Sequence, residues 1–103
     1  DWVCERTLFK QRANDRAHVP DGVFHSSRGA DTAVEVELTV KGADRLRGIV
    51  RDLAFDYESV LYVVGDTKVG AAVDAAVRAE GETDKVRIVA LDRVQLTEGA
   101  SDA

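Results

Sequence analysis

Three acids in the first half of the chain, Asp21, Glu35 and Glu37, have the type and spacing for cation chemistry. Asp21 lies in the run Pro20-Asp21-Gly22, and the other two open the run Glu35-Val36-Glu37-Leu38-Thr39-Val40-Lys41. Side chains alternate along an extended strand, so Glu35, Glu37 and Thr39 share one side while Val34, Val36, Leu38 and Val40 share the other. Like charges facing each other across a strand pair destabilise a sheet. A divalent cation turns that liability into a site, because carboxylate oxygens are the ligands magnesium prefers. If a hairpin brings Asp21 opposite Glu35 or Glu37, their oxygens converge on one ion. Phosphodiester hydrolysis needs such an arrangement, with a further polar group to position or deprotonate the attacking water. The plain alternative is a half-exposed hairpin with its valines inward and its acids in water.

The surrounding pattern indicates which elements hold these acids. Trp2 to about Arg12 reads as a helix, with Trp2, Glu5 and Phe9 roughly aligned, and residues 13–18 read as a loop. Val19 to His25 reads as a short strand whose Pro20 suits a strand start or an edge. Ser26 to Asp31 is turn chemistry, and Thr32 to Val40 is a clean alternating strand, so the two strands form an antiparallel hairpin. Leu46, Ile49, Val50 and Leu53 make a helical stripe within Ala43 to Phe55. Val60 to Val64 is a continuous apolar run that predicts a central strand buried on both faces. Thr67 to Glu80 is a second amphipathic helix stopped by Gly81, and Val86 to Leu91 a last strand. The connections between the later strands are long enough for parallel pairing. The order helix, hairpin, helix, strand, helix, strand predicts an α/β domain, a mixed sheet flanked by helices.

At 103 residues the chain is one domain with one modest core, spanning residues 1–97, followed by a flexible tail over 98–103. Apolar content of 45% with charged content of 32% is that of a globular protein. No apolar run approaches the roughly 20 residues of a membrane span, and no signal peptide is recognisable. The lone Cys4 rules out an internal disulfide and suits a reducing cytoplasm. The chain opens at Asp1 rather than Met, as a piece of a longer protein would. A net charge of -5 argues against a nucleic-acid surface covering the whole domain. The half that carries the three acids is nonetheless slightly basic, and 10 of the 14 basic residues are arginine, the better bidentate partner for phosphate.

Other residues invite both a chemical and a structural reading. Arg45, Arg47 and Arg51 lie on the polar side of the first secure helix, where they meet phosphates or simply face water. Lys41 stands about 13 Å beyond Glu37 if the strand stays extended, too far to complete an acidic box, and suits a DNA phosphate or a nearby carbonyl. His18 and His25 flank Asp21 without a metal-ligand spacing, and His25 is the better placed for a water contact. Gly65-Asp66-Thr67-Lys68 lacks the spacing of a phosphate loop and reads as a turn with a helix cap. Cys4 has no partner at useful spacing and reads as packed.

Pro20-Asp21 followed by Glu35-x-Glu37, with Glu5 on a preceding helix, resembles the PD-(D/E)xK nuclease superfamily. Trp2-x-x-Glu5-Arg6, Pro20-Asp21-Gly22, Glu35-Val-Glu-Leu38, Lys41 and Arg45 together resemble the plasmid replication-relaxation family over roughly residues 2–92. The resemblance implies a restriction-endonuclease-like core that follows an N-terminal winged-helix domain in the longer protein. It also implies Asp21 and Glu35 as ligands of Mg2+, and Glu5 as an accessory acid. Glu37 stands where the superfamily normally has lysine, and would orient or deprotonate water. The implied role is DNA processing in a plasmid or integrative element, by magnesium-dependent hydrolysis in the cytoplasm. The alternative is a non-catalytic module that uses the same scaffold to bind DNA or protein, with homodimerisation suited by Ala71, Ala72, Ala75 and Ala76 on one helix.

Overall fold

The computed structural model describes the backbone of residues 2–6 and residues 18–93. Its elements are β1 (Trp2–Arg6), β2 (Gly22–Ser26), β3 (Asp31–Glu37), α1 (Ala43–Asp56), β4 (Ser59–Val64), α2 (Thr67–Ala79) and β5 (Val86–Ala90), followed by a 3-10 turn. The strands form one mixed sheet in the order β1-β2-β3-β4-β5. β1, β2 and β3 pair antiparallel, while β3, β4 and β5 are parallel. The α/β class, the antiparallel hairpin and the parallel crossovers are those the sequence predicts.

One predicted element is wrong in kind. Residues 2–6 form a strand rather than the start of a helix, with Trp2 opposite Ser26 and Arg6 opposite Gly22. Trp2, Val3 and Cys4 fit a pleated strand, and the open edge of β2 supplies a full ladder of partners that outweighs a sparse helical spacing. The remainder of that predicted helix and most of the loop after it lie outside the described residues.

The hairpin turn follows from its residues. Gly29 takes φ +88, a conformation that side chains with a Cβ rarely adopt. The Ser26 hydroxyl accepts the N–H groups of Arg28 and Ala30 at 3.2 and 3.1 Å. β2 starts at Gly22, two residues after Pro20, which cannot donate to a ladder. β3 stops at Glu37 rather than at Val40, because its neighbour β4 ends at Val64 and the last ladder contact runs from the Gly65 N–H to the Glu37 carbonyl.

The crossovers from β3 through α1 to β4, and from β4 through α2 to β5, step in the same direction across the sheet. Such connections are right-handed, so both helices cover the same face. The core lies there, where Ala33, Val60, Tyr62, Val64 and Val86 meet Leu46, Ile49, Val50 and Leu53 of α1 and Val69, Val73, Ala76 and Val77 of α2. Asp66 caps α2 by accepting the Val69 N–H at 2.9 Å, as its place before Thr67 predicts. α1 has no basic residue in its last turn, and Lys85 supplies the missing cation by donating to the Ala54 carbonyl. The alanine row on α2 is split, since Ala76 belongs to the core and Ala72 packs against it, which leaves Ala71 and Ala75 exposed.

Gly48 sits inside α1 with open space where a Cβ would project. Gly48→Ala is expected to stabilise the domain by about 0.5–1 kcal/mol, through helix propensity and a less flexible unfolded chain. Urea denaturation reads this as a higher midpoint at unchanged slope, and a lower midpoint would show that α1 needs glycine there.

Candidate functional site

The register of the sheet decides where the acids point. Ala33 pairs with Val23 on one side and Val60 on the other, and Glu35 and Glu37 pair with Tyr62 and Val64. All of these share the helix-covered face. Glu35 is 5% exposed and Glu37 2%, whereas Val36, Leu38 and Val40 are 38%, 58% and 53% exposed. The expectation of inward valines and outward acids is therefore inverted. A shift of one residue exchanges the two sides of a strand completely, and the parity of β3 is set by its neighbours rather than by its own hydrophobicity.

Each buried carboxylate has one oxygen held and one without a hydrogen-bond partner. Glu35 Oε2 lies 2.7 Å from His18 Nε2, and the His18 backbone N–H donates to Asp52 Oδ2 on α1 at 3.2 Å. Glu37 Oε2 accepts from Lys41 Nζ. The predicted separation of Lys41 from Glu37 thus fails, because the strand ends at Glu37 and the chain bends at Thr39 instead of running on extended. Glu35 Oε1, Glu37 Oε1 and the Tyr62 hydroxyl are buried and have no hydrogen-bond partner among the described residues.

Asp21 flanks the two glutamates. Its N–H donates to the Val34 carbonyl at 3.0 Å, and its Oδ2 accepts the Val36 N–H at 2.8 Å, so its carboxylate prolongs the β2–β3 ladder on either side of Glu35. Tyr62 is fully buried abreast of Glu35. Its phenol is pushed far above its ordinary range by burial, and further by the negative charges of Glu35, Glu37 and Asp21. All three predicted acids therefore act on one buried hydroxyl.

The remaining predicted residues are dispersed. Glu5 lies on β1 rather than on a helix, at the register position opposite Val23. Arg47 and Arg51 both contact Glu80 at the end of α2, at 3.0 and 3.2 Å. Hydrogen bonds from Arg51 and Arg47 hold the Glu80 carboxyl below its usual range, so both arginines tie the two helices together. Arg45 is exposed. His25 pairs with Asp31 at 2.8 Å, at the turn end of the hairpin. A cleft of about 530 Å³, lined by residues including Thr32, Ser59, Asp84, Lys85 and Arg87, opens at the beginnings of the parallel strands and contains none of the acids.

Two site residues were missed in the sequence. His18 precedes Asp21 by three positions, but only the fold brings it to Glu35. Tyr62 left a clearer trace, as the one polar-tipped residue in an apolar run, since a buried phenol must direct its hydroxyl somewhere.

Among the described residues no group of three or more His, Cys, Asp or Glu side chains forms a metal cage. Magnesium does not require one, because it commonly takes one or two carboxylates and completes its shell with water and phosphate. The buried, unpartnered oxygens of Glu35 and Glu37 fit that donor set. No helix among the described residues is long and apolar enough to cross a membrane. No protein family matches the chain, and neither a curated protein nor a solved structure shows significant similarity to it.

The raised Tyr62 pKa has a definite consequence for stability. The folded protein keeps the phenol proton at pH values where the unfolded chain, near the ordinary 10.0, has lost it. The contribution is complete below that pH and is lost as pH rises above it, at up to about 1.4 kcal/mol per pH unit. Tyr57 shifts in the same direction, chiefly by burial, and adds a smaller slope. Urea denaturation between roughly pH 9 and 11 should show native protein losing stability faster than Tyr62→Phe. Parallel profiles would mean that Tyr62 is not held protonated by the fold.

Proposed function

We propose that this domain is a magnesium-assisted phosphodiester hydrolase acting on DNA, of the PD-(D/E)xK kind, in a cytoplasmic plasmid or integrative-element protein. One observation carries the reading: two carboxylates lie buried side by side on β3, each with an oxygen that no described group satisfies. Burying charge is costly unless it is compensated. Lys41 supplies a single cation for the pair, so a bound cation would offset what remains. An antiparallel β1–β2–β3 unit continued by parallel strands, with the acids on β3, also agrees with the core that the sequence resemblance implies.

The chain's own groups divide the work. Glu35 is the central ligand, held at one oxygen by His18 and unpartnered at the other among the described residues. A flanking acid, Asp21 or Glu37, is the second ligand. Lys41 sits where the superfamily's lysine charge would be needed, brought to Glu37 by the bend after β3, and faces the phosphate as negative charge develops. The Tyr62 hydroxyl, kept protonated, remains a hydrogen-bond donor. The ion when bound polarises the phosphoryl oxygen and activates water.

A second reading is supported by the apolar side of the hairpin. Val36, Leu38 and Val40 are exposed, as a module that docks a protein or a second copy would have them. Sedimentation at micromolar concentration separates the readings in part, since a compact monomer removes the homodimer.

With magnesium, the native domain is expected to cleave a plasmid or branched DNA substrate. Asp21→Ala and Glu35→Ala should lose about 100-fold or more in rate, and Lys41→Met about 10- to 100-fold. A native domain that does not cut, or variants that cut equally well, would sink the hydrolase reading.

A further inference from the structure

We infer that the pocket binds a single divalent cation on its inner side, between Glu35 Oε1, Glu37 Oε1 and the Tyr62 hydroxyl, with Asp21 as a positioning residue rather than a ligand. The inference deepens the hydrolase reading by naming its ion site, and it departs from the ligand pair that the sequence resemblance implies.

Three independent features converge on this position. The unpartnered buried side-chain atoms among the described residues are these three, and Glu35, Glu37 and Tyr62 are 5%, 2% and 0% exposed. Glu35 and Tyr62 stand abreast on adjacent parallel strands. Glu37 follows two residues further along the same face, about 7 Å away along the strand, a gap that two glutamate side chains close. The outer oxygens of both carboxylates are already held, by His18 and by Lys41. The second oxygen of each carboxylate is buried and has no hydrogen-bond partner among the described residues.

Asp21 is committed differently. Its Oδ2 accepts the Val36 N–H, and Val36 is the residue between the two glutamates. Asp21 thus clasps the β3 backbone and fixes the spacing of Glu35 and Glu37.

The donor atoms decide the class of ligand. The Tyr62 hydroxyl, buried abreast of Glu35 and without a hydrogen-bond partner among the described residues, offers a third oxygen. Oxygen ligands of this kind select magnesium, manganese or calcium over softer metals.

Terbium is the probe, because it takes the same oxygen ligands and its emission is excited through a neighbouring tyrosine. Native protein should bind one terbium ion per chain, displaced by magnesium, with emission that Tyr62→Phe largely removes. By calorimetry with manganese, Glu35→Gln and Glu37→Gln should each weaken binding at least about tenfold, while Asp21→Asn stays within about threefold. Circular dichroism checks that each variant is folded. If the glutamine variants do not fold, the Tyr62-dependent emission and a higher native melting temperature in about 10 mM magnesium than in chelator decide the matter. The inference is overturned if native protein shows no saturable binding, if the emission survives Tyr62→Phe, or if Asp21→Asn abolishes binding while Glu37→Gln preserves it. Ion binding with the expected ligand order but no DNA cleavage leaves this site standing and ends the hydrolase reading. Magnesium-dependent cleavage with Asp21 as an ion ligand does the reverse.

Discussion

The hand of two crossovers governs most of what is distinctive here. From β3 to β4 and from β4 to β5 the chain steps the same way across the sheet, and right-handed connections then place α1 and α2 on a single face. That face must hold the core. Register with Val23 of β2 and Val60 of β4 turns Ala33 inward, fully buried beneath the helices, and Glu35 and Glu37 follow it at intervals of two. Once two carboxylates are driven under a hydrophobic cover, the rest of the neighbourhood is arranged around their charge.

The compensation is local and incomplete. His18 is anchored through its backbone to Asp52 on α1 and reaches Glu35, while Lys41 returns to Glu37 as soon as β3 runs out of partner strand. These contacts hold one oxygen of each acid and leave the other, like the Tyr62 hydroxyl, without a hydrogen-bond partner among the described residues. A structural ion pair would be expected to satisfy both oxygens, since an unmet acceptor in a dry interior forfeits its hydration without return. α1 and α2, packed on the sheet and joined to each other through Glu80 with Arg47 and Arg51, hold this arrangement in place.

Much of the scaffold was legible in the residues. The stripe of Leu46, Ile49, Val50 and Leu53, the Asp66 cap, the Gly81 stop and the run from Val60 to Val64 each report a local physical preference that the fold keeps. The turn around Gly29 is legible for the same reason. Residues 2–6 were not, because their strand exists through pairing with β2, and a five-residue segment carries too little periodicity of its own to reveal a partner. Lys41 was misplaced by distance arithmetic that holds only while a strand has a neighbour to keep it straight.

The sequence by itself determined that Asp21, Glu35 and Glu37 lie on or beside the strands of a hairpin within a mixed α/β sheet, because alternation and turn chemistry act over a few residues. Only the tertiary structure decided that the acids face inward and the valines outward. Periodicity separates the two sides of a strand but cannot say which one the helices will cover. That choice depends on crossover handedness and on register with strands tens of residues away, and it turned an ordinary acidic strand into a buried, half-satisfied pocket.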